Sequence, residues 1–500
     1  MVAAGEALLA PSVTRRLILE YTRGPAVPGT DAAADPPELT PREQEVLALV
    51  AAGLRNGEIA RDLHLGASTV KNHVVGIRAK PGARDRVQLV LLAHRHHVVD
   101  DDAAGGRRLG SVRGMERLPD FALERYFSRW EFSAAHHLAA SDGETTTIGE
   151  LLDLDGPQAR EEFLALRLGY LPTWGTDPLR EAVAAGYDTA QAGDVLAFAG
   201  AEEGLFWTLQ ELLGPGDHAV VTVPTYQAAE SVPLATGAAV SAVRLWAAGP
   251  DGAPRWGLDV DAVRAALTPR TRVVIVNVPN NPTGLVPDVD AWRGLAALCD
   301  ERGLYLFSDE VYRGLEVDPA RTLPAAVDVC ERGISLDVTS KSLGLPGLRV
   351  GWVACRDRGL LARLETRKHW TSICNAGPSE HLATVAVRHA GELRARVRAV
   401  VAGTVPQFGA VFDRYPGLVE FEAPDGGCVA FPRYLGPEGA DAFCTELVER
   451  HGVLLLPGSV FASTLDAVPT DRFRVGLGRR DVHAGLELID DLLSERIARR

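Results

Sequence analysis

The chain has 500 residues, more than one ordinary domain needs and enough for two or three. Hydrophobic residues make up 46% and charged residues 24%, as in a globular protein, and no apolar run is long enough to span a membrane. The six cysteines are scattered, with no CxxC pair and no histidine at metal-ligand spacing, so we expect free buried thiols, a cytoplasmic location and no metal site.

Charge is distributed unevenly along the chain. The whole sequence carries −14, but residues 38–99 have nine Lys/Arg against six Asp/Glu, a net charge of +3, which leaves −17 for the rest. A strongly acidic protein is a poor nucleic-acid binder as a whole. The basic stretch therefore indicates a separate module, between a predicted flexible leader at residues 1–37 and a predicted linker at residues 100–117.

Residues 38–99 have the pattern of short helices joined by tight turns. Thr40 and Glu43 predict a capping box at the start of the first helix, and Ser68 is a predicted N-cap further along. The inward-facing positions of the two later helices are Ile59, Ala60, Leu63, Val70, Val74 and Ile77. Two short helices with a tight turn between them form a helix-turn-helix.

This module resembles the LuxR-type DNA-binding domain. The matching segments are residues 39–43, 58–60, 69–74 and 85–88. The resemblance implies DNA as a partner of residues 38–99. The chain departs from the family pattern at His64 in the turn and at Pro81, and a proline inside a helix costs about 3 kcal/mol. A structural remnant that no longer binds DNA is therefore the alternative.

From residue 118 onward, short apolar runs alternate with helical patterns. The runs are DVLAFAG, HAVVTVP, RVVIVNVP, LYLFSDE, GISLDV and GWVAC. Strands that are apolar on both faces are typical of a parallel sheet covered by helices. We therefore predict a large α/β domain over residues 118–399 and a smaller α+β domain over residues 400–500.

Polar clusters follow several of these strands, at the edge where doubly wound sheets bind their ligands. Ala201 and Glu202 open a helix, whose free N–H groups suit a phosphate, and Tyr226 can stack on a flat ring. The other clusters are Asn277 to Gly284, Asp309 to Tyr312, Thr339 to Lys341, and Arg349.

The segments NNPTG, SDEVY and TSKSLGLPGLRVGW, in this order, resemble the signature of class I/II aminotransferases. These are fold-type I enzymes that depend on pyridoxal 5'-phosphate (PLP), and the resemblance covers about residues 118–500. It implies a mostly parallel sheet flanked by helices, with a smaller α+β C-terminal domain. It also implies PLP as cofactor, an amino acid as substrate and a homodimer.

The resemblance implies a role for each matching residue. Lys341 matches the lysine that forms a Schiff base with PLP and moves the proton at Cα. Asp309 matches the carboxylate that bonds the pyridine nitrogen, and Arg474 matches the bidentate clamp for the substrate's α-carboxylate. The remaining matches are Tyr312 and Asn281 at the phenolic oxygen, Tyr226 stacked on the ring, Ser340, Arg349 and the amides of Ala201 and Glu202 at the phosphate, and Tyr170 reaching the phosphate of the other subunit.

Val338 is a first departure from the family pattern. It stands three residues before the lysine, where the family usually has Ser or Thr. We expect Ser340 or Thr339 to compensate for this missing phosphate donor.

Residues 130–144 are a second departure, because they replace the glycine-rich N-terminal substrate segment of the family. We expect Trp130, His136 and His137 to contact the substrate. This segment resembles the capreomycidine-synthase branch, whose known member cyclises a modified arginine. The likeness implies specialised metabolism and favours a reaction other than simple transamination.

Several functions stay open at this point. Elimination, replacement, cyclisation and C–C bond formation share the same first steps, and the substrate could be an arginine derivative or S-adenosylmethionine. An ordinary amino acid aminotransferase is one alternative. Another is a transcription regulator whose aminotransferase-like body senses PLP or an amino acid, as in MocR-type regulators.

Overall fold

The computed structural model describes residues 40–51, 59–61, 63, 65–79, 118–248 and 254–498. The parts of the predictions that lie outside these residues are the leader (1–37), His64, Pro81, the segment 85–88 and the linker (100–117). The chain divides into two compact units, Met1–Val112 and Arg113–Arg500. No helix of the described residues is long and apolar enough to cross a membrane.

The first unit contains α1 (Pro41–Ala51) and α2 (Ala67–Ala79). The predicted capping box at the start of α1 is confirmed. The backbone N–H of Thr40 donates to Glu43 Oε2 at 2.8 Å, and the backbone N–H of Glu43 donates to Thr40 Oγ1 at 3.3 Å. Of the six positions predicted to face inward, Leu63 is half-buried and the other five are buried.

The predicted N-cap at Ser68 is wrong by two residues. α2 begins at Ala67, so Ser68 already lies within its first turn. The carbonyl of Gly66 accepts the N–H groups of Thr69 at 2.9 Å and Val70 at 3.1 Å, which starts the helix before Ser68.

A seven-stranded sheet forms the centre of the second unit, in the order β2-β10-β9-β8-β7-β3-β4. Its strands are β2 (Val195–Phe198), β3 (His218–Val223), β4 (Ala239–Arg244), β7 (Thr271–Asn277), β8 (Tyr305–Asp309), β9 (Gly333–Val338) and β10 (Gly351–Cys355). β10 is antiparallel to both of its neighbours, and the other pairings are parallel. The six predicted strands are confirmed, and β4 is an addition.

Helices cover both faces of this sheet. Alternate residues of a strand therefore pack into different hydrophobic clusters, one on each face. Ile275 packs in one cluster, whereas Val274 and Val276 pack in another. The helices of this part are α3 (Ala122–Trp130), α4 (Ile148–Leu154), α5 (Pro157–Leu164), α6 (Asp177–Ala184), α7 (Ala201–Leu212), α8 (Ala228–Ala235), α9 (Val260–Ala266), α10 (Val289–Arg302), α11 (Ala326–Val329), α12 (Arg358–Lys368) and α13 (Gly377–Arg388).

The C-terminal part has its own small sheets and core. Its elements are α14 (Ala390–Phe412), β11 (Val419–Glu420), β12 (Val429–Ala430), β13 (Arg433–Tyr434), α15 (Ala440–His451), β14 (Val453–Leu454), β15 (Leu456–Pro457), β16 (Phe473–Gly476) and α16 (His483–Ala498). The predicted boundary at residues 399 and 400 falls inside α14, which runs through it without a break.

Short strands connect the two ends of the second unit. β1 (His136–His137) pairs in parallel with β14, so the N-terminal segment joins the C-terminal part. β5 (Trp246–Ala248) and β6 (Pro254–Trp256) form a separate antiparallel pair. Cys374 is half-buried and the other five cysteines are buried and free, which confirms the expected thiols.

Candidate active site

Lys341 lies two residues beyond the buried Thr339 that follows β9, and its amine contacts the segment at residues 130–144. Lys341 Nζ donates to Ser141 Oγ at 2.8 Å. The Tyr312 hydroxyl donates to the Ser141 carbonyl at 2.9 Å, so both predicted residues meet the same serine. Burial lowers the pKa of the Lys341 amine, which favours the neutral, nucleophilic form. Ser141 was not among the predicted site residues.

Asp309 ends β8 and is buried beside the same lysine. Its carboxylate accepts a hydrogen bond from the Val311 backbone N–H at 3.3 Å. Burial raises the pKa of Asp309 to about 7, while the nearby charge of Lys341 acts to lower it. Asn277 Nδ2 donates to the Asp309 carbonyl at 3.0 Å, which ties the ends of β7 and β8 together.

Arg474 comes from β16 and is completely buried, at 0% exposure. Its Nη1 donates to Asn281 Oδ1 at 3.0 Å and its Nη2 donates to the Ala139 carbonyl at 2.8 Å. Burial lowers its pKa to about 10. No carboxylate of the described residues lies within ion-pair distance, and a buried cation without an anion is costly. The guanidinium is therefore suited to an incoming carboxylate.

The start of α7 forms a cradle for an anion. Gly200 is its N-cap, with φ +96°, and no side chain in the described part of the protein caps the start of the helix. A Cβ on Gly200 would come within 2.7 Å of Arg349 Nη2, so only glycine lets this guanidinium approach. The positive end of the helix and the arginine together suit a phosphate.

Ser340 rather than Thr339 is the available hydroxyl beside Val338. The Thr339 hydroxyl donates to the Val350 carbonyl at 3.1 Å and is committed to the fold. Ser340 Oγ is buried and has no hydrogen-bond partner among the described residues.

Tyr226 follows β3, and the pKa of its hydroxyl is raised first by burial and then by the nearby charge of Glu202. Its ring also lies 5.1 Å from that of Phe121. Desolvation by burial raises the pKa of Glu202 to about 7. Tyr226 therefore lies at the same sheet edge as Asp309, with Glu202 beside it. The sequence analysis had assigned a role to the backbone amide of Glu202 but not to its side chain.

The two adjacent histidines, both expected to contact the substrate, point in different directions. Side chains alternate along a strand. The His137 ring lies 5.6 Å from that of Phe127, which is itself 5.9 Å from the Arg474 guanidinium, so His137 faces the site. Burial lowers the pKa of His137 to about 4. His136 instead lies next to Gly485 of α16, where a Cβ would sit 3.2 Å from His136 Cβ.

Trp130 and Tyr170 differ in their surroundings. Trp130 ends α3 and is half-buried, with the Arg129 guanidinium 4.4 Å from its ring centroid. Tyr170 is 91% exposed in the single chain.

Residues 157–483 match the family model "Aminotransferase class I and II". The chain belongs to this family. A second, shorter match covers residues 37–93 and is to the model "Bacterial regulatory proteins, luxR family".

Three relatives illustrate the range of reactions among similar proteins. Capreomycidine synthase from Streptomyces vinaceus is 31% identical over 394 residues, which are 76% of this chain and 95% of that protein. Arginine–pyruvate transaminase AruH from Pseudomonas aeruginosa is 30% identical over 326 residues, which are 61% of this chain and 77% of that protein. The solved structure of the PLP-dependent cyclase OrfR has a TM-score of 0.66 and 28% identity, and the similarity covers 77% of this chain and 100% of that one.

As a member of the class I and II aminotransferase family, the chain is a PLP-dependent enzyme. The residues present fit the cofactor. Ser340, Arg349 and the start of α7 would hold its phosphate, and Asp309 would bond its ring nitrogen. When bound, PLP supplies an electron sink for bonds broken at the substrate's Cα. Arg474 Nε has no hydrogen-bond partner among the described residues.

Proposed function

We propose that the protein acts at the α-amine of an amino acid with a large polar side chain, by elimination, replacement or cyclisation. Simple amino-group exchange is the alternative. The observation that carries the proposal is the segment at residues 138–144, which brings the Ser141 hydroxyl to the Lys341 amine at 2.8 Å. The names of two relatives, capreomycidine synthase and a PLP-dependent cyclase, support the same reading and a role in specialised metabolism.

Acidic side chains on the substrate side support a cationic group at the far end of the substrate. Glu124 acts to raise the pKa of Glu202 and also that of Glu131, so these carboxylates lie near one another. Asp142 has a cation partner in Arg479, at 3.0 Å. A relative named arginine–pyruvate transaminase is consistent with a guanidinium in this position.

The test is product analysis with and without 2-oxoglutarate. Arginine derivatives, S-adenosylmethionine and ordinary amino acids are incubated with the PLP-loaded enzyme, and products are identified by mass spectrometry. We expect a cyclised or eliminated product that forms without 2-oxoglutarate. Rapid, stoichiometric formation of glutamate would instead support an ordinary aminotransferase.

His137→Ala and His136→Ala provide a matched pair for the same assay. His137 Nδ1 accepts the Ala139 N–H at 3.3 Å, which leaves the Nε2 proton of the neutral ring facing Glu131 at 3.7 Å. We expect His137→Ala to slow product formation and His136→Ala, which faces α16, to leave it unchanged. Equal rates in both variants would remove His137 from the proposal.

We also propose that the enzyme works in the cytoplasm as a homodimer. Leu164, Leu168, Tyr170 and Trp370 are each at least 83% exposed in the single chain, and the segments that carry them meet where Lys368 Nζ donates to the Thr173 carbonyl at 2.7 Å. Large exposed apolar patches mark interaction surfaces. Light scattering should give twice the mass of one chain, and Tyr170→Asp should lower it.

A function of another class is favoured by the first unit. The match of residues 37–93 to luxR-family regulators supports DNA binding, and the outer face of α2 exposes polar side chains, among them Thr69, Lys71 and Asn72. The second helix of a helix-turn-helix reads the major groove. Sequence-specific binding of the full chain to DNA with a steep salt dependence would favour a transcription regulator over an enzyme as the main function. Loss of that binding in Lys71→Ala would tie it to α2.

A further inference from the structure

The amine of Lys341 has a hydroxyl as its partner. Lys341 Nζ donates to Ser141 Oγ at 2.8 Å, and this is the hydrogen bond that the amine makes among the described residues. The main chain of Ser141 is held as well, because its carbonyl accepts from the Tyr312 hydroxyl at 2.9 Å. The Ser141 hydroxyl therefore stays beside the nitrogen that reacts.

The chain around Ser141 has little room to move. Both carboxylate oxygens of Asp142 accept from Arg479 Nη2 at 3.0 Å. A Cβ on Gly143 would lie 2.6 Å from Val397 Cγ2 and 3.4 Å from the Lys341 carbonyl. These contacts fix the position of Ser141, as is needed for a group that acts on a single proton.

The surroundings of Lys341 allow both protonation states of its amine. Burial lowers the pKa of Lys341 and Arg474 acts in the same direction, whereas Asp142, Cys428 and Asp309 act to raise it. A hydroxyl can donate one hydrogen bond and accept others. It can therefore accept from the protonated amine and donate to the lone pair of the neutral amine, whereas a backbone carbonyl could only accept.

We propose that Ser141 is a catalytic residue whose hydroxyl pairs with the Lys341 amine in both of its protonation states. The proposal rests on the proposed function, in which Lys341 takes a proton from the substrate's Cα. In that step the C–H bond breaks, its electron pair stays with the carbon, and the proton becomes the third on Lys341 Nζ. Ser141 accepts a hydrogen bond from the new ammonium, and so stabilises it and aims it at the substrate.

The first experiment measures the Lys341 amine directly in the cofactor-free full chain. Acetic anhydride labels the amine at a series of pH values, and mass spectrometry of the Lys341 peptide gives the midpoint. A hydrogen bond to the ammonium is stronger than one to the neutral amine, so its loss in Ser141→Ala should lower this midpoint by about one pH unit. Ser141→Thr keeps the hydroxyl and should restore it. Ser133→Ala is the matched control, because the Ser133 hydroxyl is exposed and bonds the Trp130 carbonyl at 3.2 Å.

The second experiment follows exchange of the substrate's Cα proton with D₂O in the PLP-loaded enzyme, by NMR. Ser141→Ala should slow the exchange at least about tenfold at unchanged PLP affinity and melting temperature. Ser141→Thr should retain most of the rate. An unchanged labelling midpoint or an unchanged exchange rate in Ser141→Ala would overturn the proposal. If the wild type exchanges no amino acid, the proposed function fails, and the labelling midpoint still decides whether Ser141 pairs with Lys341.

Discussion

Asp309 should make the cofactor-free protein less stable as the pH rises. Its side chain is 9% exposed and accepts one hydrogen bond, from the Val311 N–H at 3.3 Å. Burial raises the pKa of Asp309 to about 7, against the opposing effects of that hydrogen bond and of Lys341. Asp309→Asn keeps the shape of the side chain and removes its charge at every pH, so it isolates the cost of ionisation.

The size of this loss of stability follows from the difference in the pKa of Asp309 between the folded and unfolded states. The carboxyl ionises with a pKa of about 3.9 in the unfolded chain and only near pH 7 in the folded one. The stability that the protonated form supplies is complete below the unfolded pKa and is lost as the pH rises through the folded pKa. Three pH units correspond to about 4 kcal/mol, of which about 3 kcal/mol should be lost between about pH 4.5 and about pH 8.

The assay is thermal unfolding of wild type and Asp309→Asn without PLP over that pH range. At the upper end the variant should melt a few degrees higher than the wild type, and the gap should close at the lower end. PLP should reverse the order, because its protonated ring nitrogen pairs with the carboxylate.

Glu310→Gln is the matched control for this prediction. Glu310 is also buried with a pKa raised to about 7 by burial, but its carboxylate accepts from the Ala326 N–H at 2.8 Å and Ser335 Oγ at 2.9 Å. Its pH effect should not respond to PLP. Identical pH dependence in cofactor-free wild type and Asp309→Asn would refute the reasoning.

Three further predictions concern the cofactor, the substrate and the first unit. Borohydride should fix PLP on Lys341, and Lys341→Ala should lose the covalent link; an adduct mapped to another lysine would contradict the assignment. Arg474→Lys should lower kcat/KM by about 100-fold, mainly through KM, because a point charge cannot replace the planar fork; an unchanged KM would contradict the clamp. A shortened protein that begins at Arg113 should bind PLP and turn over at the full rate, since all the residues assigned to PLP lie in the second unit. Turnover a hundredfold slower would show that residues 1–112 take part in catalysis.

The central sheet could be predicted because most of its strands are buried on both faces, which gives unbroken apolar runs. The edge strand β4 was not predicted, since Val243 is its one fully buried residue and the run AVSAVR is mixed in polarity. The direction of β10 could not be predicted either. All five of its residues are buried, and a strand buried on both faces has the same pattern whether it runs parallel or antiparallel.

Motifs in the sequence predicted several residues that the structure brings together at the candidate site, whereas a residue that is placed there by contacts distant in sequence was missed. Asp309 is the last residue of β8 and Lys341 lies three residues beyond the end of β9, so their position at the sheet edge follows from the predicted strands. Ser141 has no local signal, because its partners lie far along the sequence. His136 and His137 are alike in sequence, and a two-residue strand is too short to show the alternation that separates them.

Choice of reaction in this enzyme should depend on the segment at residues 138–144 rather than on the residues that hold PLP. In their proposed roles, Asp309 would bond the ring nitrogen of PLP and Arg474 the substrate's carboxylate in every reaction that begins at Cα, so neither would select among these reactions. Two hydrogen bonds hold the segment in place. Arg474 Nη2 donates to the Ala139 carbonyl at 2.8 Å, and the Arg480 backbone N–H donates to Glu144 Oε2 at 2.9 Å. Because it is held independently of the phosphate end of the site, a changed side chain there alters what lies beside the Lys341 amine and leaves the phosphate contacts in place. A change of product at constant PLP affinity is therefore the signature of control by this segment.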